Sequence, residues 1–290
     1  MFKGSMVALV TPFKNNKIDE KALRKLVNFQ IDNGTDVLVP CGTTGESATL
    51  SLQEHEHVID VVISEAKGKA KVVPGTGSNN TAEALEFTSH AKKAGADGAL
   101  IISPYYNKPT QEGIYQHFKV LSDNVDIPLI AYNIASRTGK NIETDTMVRI
   151  SKLKNVVGVK EASGNVKQMA DVKRLCGNDF DLISGDDALT LPLLSIGGCG
   201  VISVVANIAP KDVSEMIKAY NDGNTQKARQ IYYKLMPLVD AIFIETNPIP
   251  VKTAMALMGM IDGALRLPMC AMSDENLEKL KKVLKQYKLI

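Results

Sequence analysis

The fold this sequence predicts is a barrel of eight alternating strands and helices, the TIM or (β/α)8 barrel, followed by a helical appendage. Three observations carry that expectation: eight short apolar runs recur along roughly the first 220 residues, segments with apolar residues at three- and four-residue spacing separate them, and the strand signal then stops. At 290 residues with 44% hydrophobic residues, the chain can bury a core of that size, although length by itself leaves a two-domain protein open.

In chain order the predicted strands are Met6 to Leu9, Val37 to Val39, Lys71 to Val73, Gly98 to Ile102, Leu129 to Tyr132, Val156 to Lys160, Asp181 to Ile183 and Val201 to Val204. Helical spacing is clearest in Leu23, Leu26, Val27 and Ile31, and again in Val58, Val61 and Val62. Asn33-Gly34, Lys67-Gly68, Ala94-Gly95 and Cys176-Gly177 stand where helices must end before the next strand. Ser51 followed by Glu54 has capping-box spacing, and good helix formers run from Thr81 to Glu86. From Asn224 to Ile290 long helical segments are punctuated by Pro237, Pro248, Pro250 and Pro268. The expected division is therefore 1–223 for the barrel and 224–290 for a three-helix part packed on it, with no Gly/Ser-rich linker between.

Composition excludes several functions. The formal charge is +2, from 34 basic and 32 acidic residues spread along the chain, which leaves no electrostatic footprint for nucleic acid or an anionic membrane. No apolar stretch approaches the length of a membrane helix, and Met1 to Thr11 lacks the basic start and long apolar core of a secretory leader, so a cytoplasmic location is expected. Cys41, Cys176, Cys199 and Cys270 are isolated, which argues for reduced thiols. His55 and His57, two apart on a helix, point in different directions and cannot share a metal, so no metal site is expected.

In such a barrel the ligand-facing residues stand just after each strand. The most informative of them is Lys160, which ends an apolar run. Burial disfavours an ammonium and lowers its pKa, and the neutral amine is a nucleophile toward carbonyls. The structural alternative is a strand-end lysine paired with Glu161 or reaching solvent. Strand alternation puts Lys160 on the face of Gly158 and Val156, so it points inward if Val156 does. Gly158 either leaves room for a ligand or marks a close backbone approach.

The loop Cys41-Gly42-Thr43-Thr44-Gly45-Glu46-Ser47 offers hydroxyl and N–H donors between two glycines, which suits a carboxylate. An ordinary Ser/Thr-rich turn is the alternative. Tyr105 and Tyr106 follow the fourth strand, and Tyr132 through Arg137 to Gly139 ends the fifth; phenols there either relay protons or pack the rim. Ser184-Gly185-Asp186-Asp187 and Val205 to Ile208 lack a glycine-rich phosphate cradle, and Ile196-Gly197-Gly198-Cys199-Gly200 precedes the eighth strand, at the opposite face. A phosphorylated substrate is disfavoured.

Taken together, Gly42-Thr43-Thr44-Gly45-Glu46, Tyr132 and Gly158-Val159-Lys160-Glu161-Ala162-Ser163 resemble the signature of the pyruvate-dependent class I aldolases, the N-acetylneuraminate lyase family, over essentially the whole chain. The resemblance implies that Lys160 forms an imine with the ketone of pyruvate, then an enamine. In the members that carry an arginine shortly after Tyr-Asn, matched here by Arg137, that enamine attacks L-aspartate-4-semialdehyde and yields 4-hydroxy-tetrahydrodipicolinate, the entry to lysine and diaminopimelate synthesis. A guanidinium there fits, because its planar fork matches a carboxylate. By the same resemblance Tyr132 moves protons, Thr44 links it to Tyr106 donated by a neighbouring subunit, Thr43 and Thr44 bind the pyruvate carboxylate, and Gly185 and Ile202 line the pocket. The resemblance further implies a homo-oligomer, a homotetramer of paired dimers, and no cofactor is expected.

Two positions depart from the family. Ala135 replaces the usual proline two residues after Tyr-Asn and removes a φ constraint near Arg137. Lysine-inhibited members bind lysine at positions matched here by Ser47, Ala48, His55, Asn79, Glu83 and Tyr105, but a histidine common among them is Leu52 here, so weak or absent lysine feedback is expected. Two other readings stand beside the main one: a sister aldolase that cleaves a sugar acid such as N-acetylneuraminate, opposed by Arg137, and a non-catalytic binding barrel, opposed by the intact lysine, threonine pair and tyrosines.

Overall fold

The structure, a computed structural model, describes residues 1–290. Eight parallel strands form its centre: β1 (Gly4–Ala8), β2 (Val37–Val39), β3 (Lys71–Val72), β4 (Ala99–Ile102), β5 (Leu129–Asn133), β6 (Val156–Glu161), β7 (Asp181–Ser184) and β8 (Gly200–Ser203). Each of the predicted strands is present, with ends shifted by no more than two residues. The strand order is β3-β2-β1-β8-β7-β6-β5-β4. A parallel bridge between Gly75 and Leu100 closes the sheet, where Leu100 N–H donates to the Pro74 carbonyl at 2.8 Å and Thr76 N–H to that of Leu100 at 3.0 Å. The result is a TIM barrel. A two-stranded hairpin, Phe13–Lys14 with Lys17–Ile18, lies outside it.

The helices are α1 (Glu20–Asp32), α2 (Leu52–Ala66), α3 (Thr81–Ala94), α4 (Gln111–Asn124), α5 (Ala135–Thr138), α6 (Thr144–Ile150), α7 (Val166–Cys176), α8 (Thr190–Ser195), α9 (Pro210–Asn221), α10 (Thr225–Ile242), α11 (Ile249–Leu257) and α12 (Asp274–Gln286). Ser51 and Glu54 form the capping box that their spacing predicts at the start of α2, and Gly95 ends α3 in the left-handed conformation. Pro237 is an exception to its reading as punctuation: it lies inside α10, which continues to Ile242. Pro250 sits in the first turn of α11, where its missing N–H has no intrahelical partner to lose.

The core has two layers. Inside the barrel, Met6, Ala8, Val37, Val39, Leu100, Ile130, Ile183 and Ile202 pack together at the two-residue period of strands. Outside it, the alternate residues meet the helices: Ala99, Ile101, Leu129, Ala131 and Leu182 on one side, and Val7, Leu9, Leu38, Val72 and Val201 on the other. Leu235, Leu238, Ile242, Val251, Ala254, Leu280 and Leu284 belong to that second group, so α10 to α12 share a core with the barrel.

Alternation fails at one point. The β5–β6 register pairs Leu129 with Val156 but Ile130 with Gly158, leaving Val157 as an extra residue. Val156 therefore packs outward while Val157 packs against the barrel interior, and the expectation that Val156 and Lys160 share a face is wrong. The bulge resets the phase, so Lys160 points inward although Val156 does not. Gly158 marks a close approach, not free space: an added Cβ would lie 2.5 Å from the Asp181 carbonyl oxygen.

Candidate active site

Lys160 lies at the inner face of β6, where Tyr132 is its register partner on β5 and Ile183 on β7. It is 6% exposed and makes no ion pair. Glu161 is not its partner, because the strand turns that carboxylate away to accept from Asn133 Nδ2 at 3.1 and 3.3 Å and from Ser163 N–H at 2.7 Å. Burial lowers the Lys160 pKa to about 7, the Asp187 carboxylate opposes that shift, and the Arg137 guanidinium reinforces it. A large share of this amine is consequently neutral at physiological pH. Its Nζ stands 4.2 Å from the centroid of the Tyr132 ring. Gly185, at the end of β7, makes the room: a Cβ there would come within 3.1 Å of the lysine Cγ and Cε and 2.8 Å of Ala162 Cβ.

Tyr132 is buried as well, and burial raises its phenol to a pKa of about 12, against smaller opposing effects of Arg137 and the Thr43 hydroxyl. It stays protonated at neutral pH, able to donate and accept in one relay. Asp187 receives the Ser203 hydroxyl at 2.5 Å and the backbone N–H groups of Val204 and Val205 at 2.9 and 3.4 Å. Burial raises its pKa, and these donors work against that.

Two connected compartments meet at these residues. The inner one, of about 60 Å³, is bounded by Lys160, Tyr132, Thr43, Thr44, Gly185 and Val204, among others. An outer chamber of about 260 Å³ extends past Ser47, Ala48, Tyr105, Pro248 and Met269. Thr43, Tyr132, Arg137 and Asn247 border both. Ile202 belongs to the barrel-interior cluster with Tyr132 and Ile183 and borders neither compartment, whereas Val204 borders the inner one.

The two threonines divide their contacts. Thr44 Oγ1 accepts from Asn247 Nδ2 at 3.0 Å, whereas Thr43 is the one facing the Tyr132 phenol. Tyr106 is 88% exposed, with φ +69°, and lines neither compartment. The predicted run Tyr132, Thr44, Tyr106 is thus not joined by hydrogen bonds within one chain. Arg137 lies on α5, at the border of the compartments, where its Nη2 donates to the Asn247 carbonyl at 3.1 Å. The turn that starts at Ala135 is hydrogen-bonded: Arg137 and Thr138 N–H both donate to the Ile134 carbonyl and Gly139 N–H to that of Ala135.

Of the six residues matched to a lysine site, three border the outer chamber and three do not. Ser47, Ala48 and Tyr105 line it. His55 stacks on Phe87 with centroids 4.1 Å apart, donates from Nε2 to the Gly75 carbonyl at 3.0 Å, and leaves Nδ1 without a partner. Burial lowers its pKa to about 4. Glu83 is bonded to the Ser78 hydroxyl, and the Asn79 carbonyl accepts from Asn107 at 2.8 Å. No group of three His, Cys, Asp or Glu side chains is arranged to hold a metal ion.

A lysine without a counter-ion near the end of the sixth barrel strand, over a phenol and beside a threonine loop, is a specific arrangement, and known proteins resemble this chain along its whole length. Residues 1–287 match the model of the dihydrodipicolinate synthetase family. The chain belongs to that family. A 4-hydroxy-tetrahydrodipicolinate synthase from Syntrophus aciditrophicus is 58% identical over the full length of both proteins. The crystal structure of the dihydrodipicolinate synthase from Aquifex aeolicus, 50% identical, superposes with a TM-score of 0.98 over 99% of each chain. That of a chloride-inhibited dihydrodipicolinate synthase from Acinetobacter baumannii complexed with pyruvate, 43% identical, gives 0.98 over the whole of each chain. Like its relatives the chain is a lyase of this family, and no helix in it is long and apolar enough to cross a membrane.

The site also contains residues to which the strand-end reading gives no role. Asn247 comes from the segment before α11, more than a hundred residues after Arg137, and only its place beside prolines marks it in the sequence. Asp187 ends the Ser184-Gly185-Asp186-Asp187 run, a pattern that marks a strand end but not the carboxylate's effect on Lys160.

Proposed function

We propose that the chain condenses pyruvate with L-aspartate-4-semialdehyde through an imine on Lys160 and releases 4-hydroxy-tetrahydrodipicolinate, in lysine and diaminopimelate biosynthesis. The observation that carries this reading is the unpaired, buried Lys160 amine at the wall of a small compartment whose exit is bordered by Arg137. The neutral amine adds to the pyruvate ketone, and loss of water leaves the imine. Removal of a methyl proton gives the enamine, whose carbon attacks the aldehyde. The acceptor's own amine then closes the ring on the imine carbon and frees Lys160.

In this scheme Thr43 and Thr44 bind the pyruvate carboxylate, Tyr132 carries protons to and from the reacting oxygen, and Arg137 takes the carboxylate of the aldehyde. Gly185 lets Lys160 extend, and Ile202 belongs to the barrel interior with Tyr132. Tyr106, exposed in one chain, completes the relay from a neighbouring subunit, which makes the working form a homo-oligomer, a homotetramer of paired dimers, acting in the cytoplasm without a cofactor. Residues 1–223 are the catalytic barrel and 224–290 its helical support. Ser47, Ala48, His55, Asn79, Glu83 and Tyr105 stand where lysine binds in sensitive members, but Leu52 cannot hydrogen-bond a ligand. Micromolar lysine is expected to leave turnover unchanged, and inhibition in that range would overturn this.

Borohydride reduction with pyruvate, followed by peptide mass mapping, tests the mechanism. The expected result is a reduced pyruvate adduct on Lys160, and its absence would overturn the scheme. Turnover with aspartate semialdehyde and none with N-acetylmannosamine is expected; the reverse would favour a sugar-acid aldolase.

A further inference from the structure

The loop that carries Thr43 and Thr44 is fastened at its far end by a buried charge cluster that the chemistry above does not use. Glu46 closes the loop in the left-handed conformation, with φ 53° and ψ 38°. Its side chain is 1% exposed and that of Lys252, on α11, is 0% exposed. Lys252 Nζ donates to Glu46 Oε1 at 2.5 Å, and the backbone N–H of Arg266 donates to Oε2 at 3.1 Å. Both carboxylate oxygens are therefore held by residues that follow the barrel. The Phe13 ring centroid lies 4.3 Å from Lys252 Nζ and 4.2 Å from Arg266 Cζ. The Arg266 guanidinium is itself pinned, by both Glu54 oxygens at 2.6 Å and the carbonyls of Thr49 and Asn16 at 2.9 and 2.8 Å.

A sealed pair of this kind adds little net stability compared with apolar residues of the same volume, because desolvation offsets the attraction. It does fix a register. Thr44, two residues before Glu46, is bonded to Asn247, five residues before Lys252. Two contacts thus tie one short loop to one short segment.

We propose that Glu46 and Lys252 are positioning residues, whose buried pair sets the Thr43–Thr44 register that the keto acid's carboxylate meets, so that α11 governs pyruvate affinity without touching the substrate. This rests on the reading that those threonines take the pyruvate carboxylate.

The test is the pyruvate dependence of borohydride trapping in the full-length protein, for Glu46→Gln combined with Lys252→Met, for Glu46→Asp, and for Thr44→Val as the reference. The double change removes both charges together, so neither is left buried alone, and Glu46→Asp keeps the pair while shortening its reach. Both are expected to raise half-saturating pyruvate about tenfold, the scale of a small misplacement of a binding group. The maximal trapping rate should stay within about twofold of the unmodified protein, and its pH midpoint should not move. If the double variant does not fold, Glu46→Asp alone decides. Unchanged half-saturation in a folded clamp variant, with Thr44→Val weakened, would overturn the positioning role alone. Unchanged half-saturation in Thr44→Val would overturn the threonine reading and the clamp with it.

Discussion

Two lysines are buried in this molecule, Lys160 at 6% exposure and Lys252 at 0%, and they have opposite fates. For both, burial lowers the pKa. Lys252 has the Glu46 carboxylate at 2.5 Å to hold its charge, whereas Lys160 has no ion-pair partner and faces an added cation, Arg137, across the compartment. Burial alone does not activate a lysine. Activation follows when burial comes without a counter-ion in contact, and the more deeply buried of the two is here the structural one.

Exchanging the two environments breaks the comparison most severely at Lys160. Lys160→Ala is expected to abolish the borohydride-trapped adduct and lower turnover by roughly a thousandfold or more, with little change in thermal stability. Lys252→Met should do the reverse in kind: it leaves the Glu46 carboxylate sealed without its cation, at about 3–5 kcal/mol, so that thermal unfolding shifts down on the order of 10 °C. Trapping at saturating pyruvate should survive. Arg137→Ala comes next, with kcat/KM for the aldehyde about 10- to 100-fold lower, while imine formation measured well above neutrality is unaffected.

The electrostatic part of the comparison is sharpened by following the pH midpoint of trapping. Arg137 disfavours the Lys160 ammonium, so its removal lets the midpoint rise above about 7. Asp187 favours the ammonium, so Asp187→Asn moves the midpoint below about 7. Arg137 is the weaker of the two charges acting on the lysine, so its removal gives the smaller shift. A midpoint that moved the same way in both variants would contradict the assigned signs.

The barrel was readable because each strand is short, apolar and followed by a helix-spaced segment, and the strand-end rule then located Lys160, Tyr132 and the threonine pair. What escaped depends on register or on distant chain. Val157 is one more valine in an apolar run, and nothing in the run says that it is the bulged residue. Ile202 lies on the eighth strand inside the barrel, whereas Val204 follows the strand's last residue and borders the cavity, and the point where a strand ends is not written in its alternation. Pro237 reads as a break, yet packing of Leu235, Leu238 and Ile242 keeps α10 continuous through it. Asn247 and Lys252 act on a loop some two hundred residues earlier, a pairing no local pattern encodes.

Arg137 rests on the main-chain carbonyl of Asn247 and not on a side chain. Every amino acid that could stand at that position would present the same oxygen, so point substitution cannot delete the contact. Gaining or losing one residue between α10 and α11 would displace it. With Arg137 in its proposed role, selectivity for the second substrate is expected to tolerate substitution at this position and to be sensitive to changes in length there, so indels in that connection are where acceptor preference would drift.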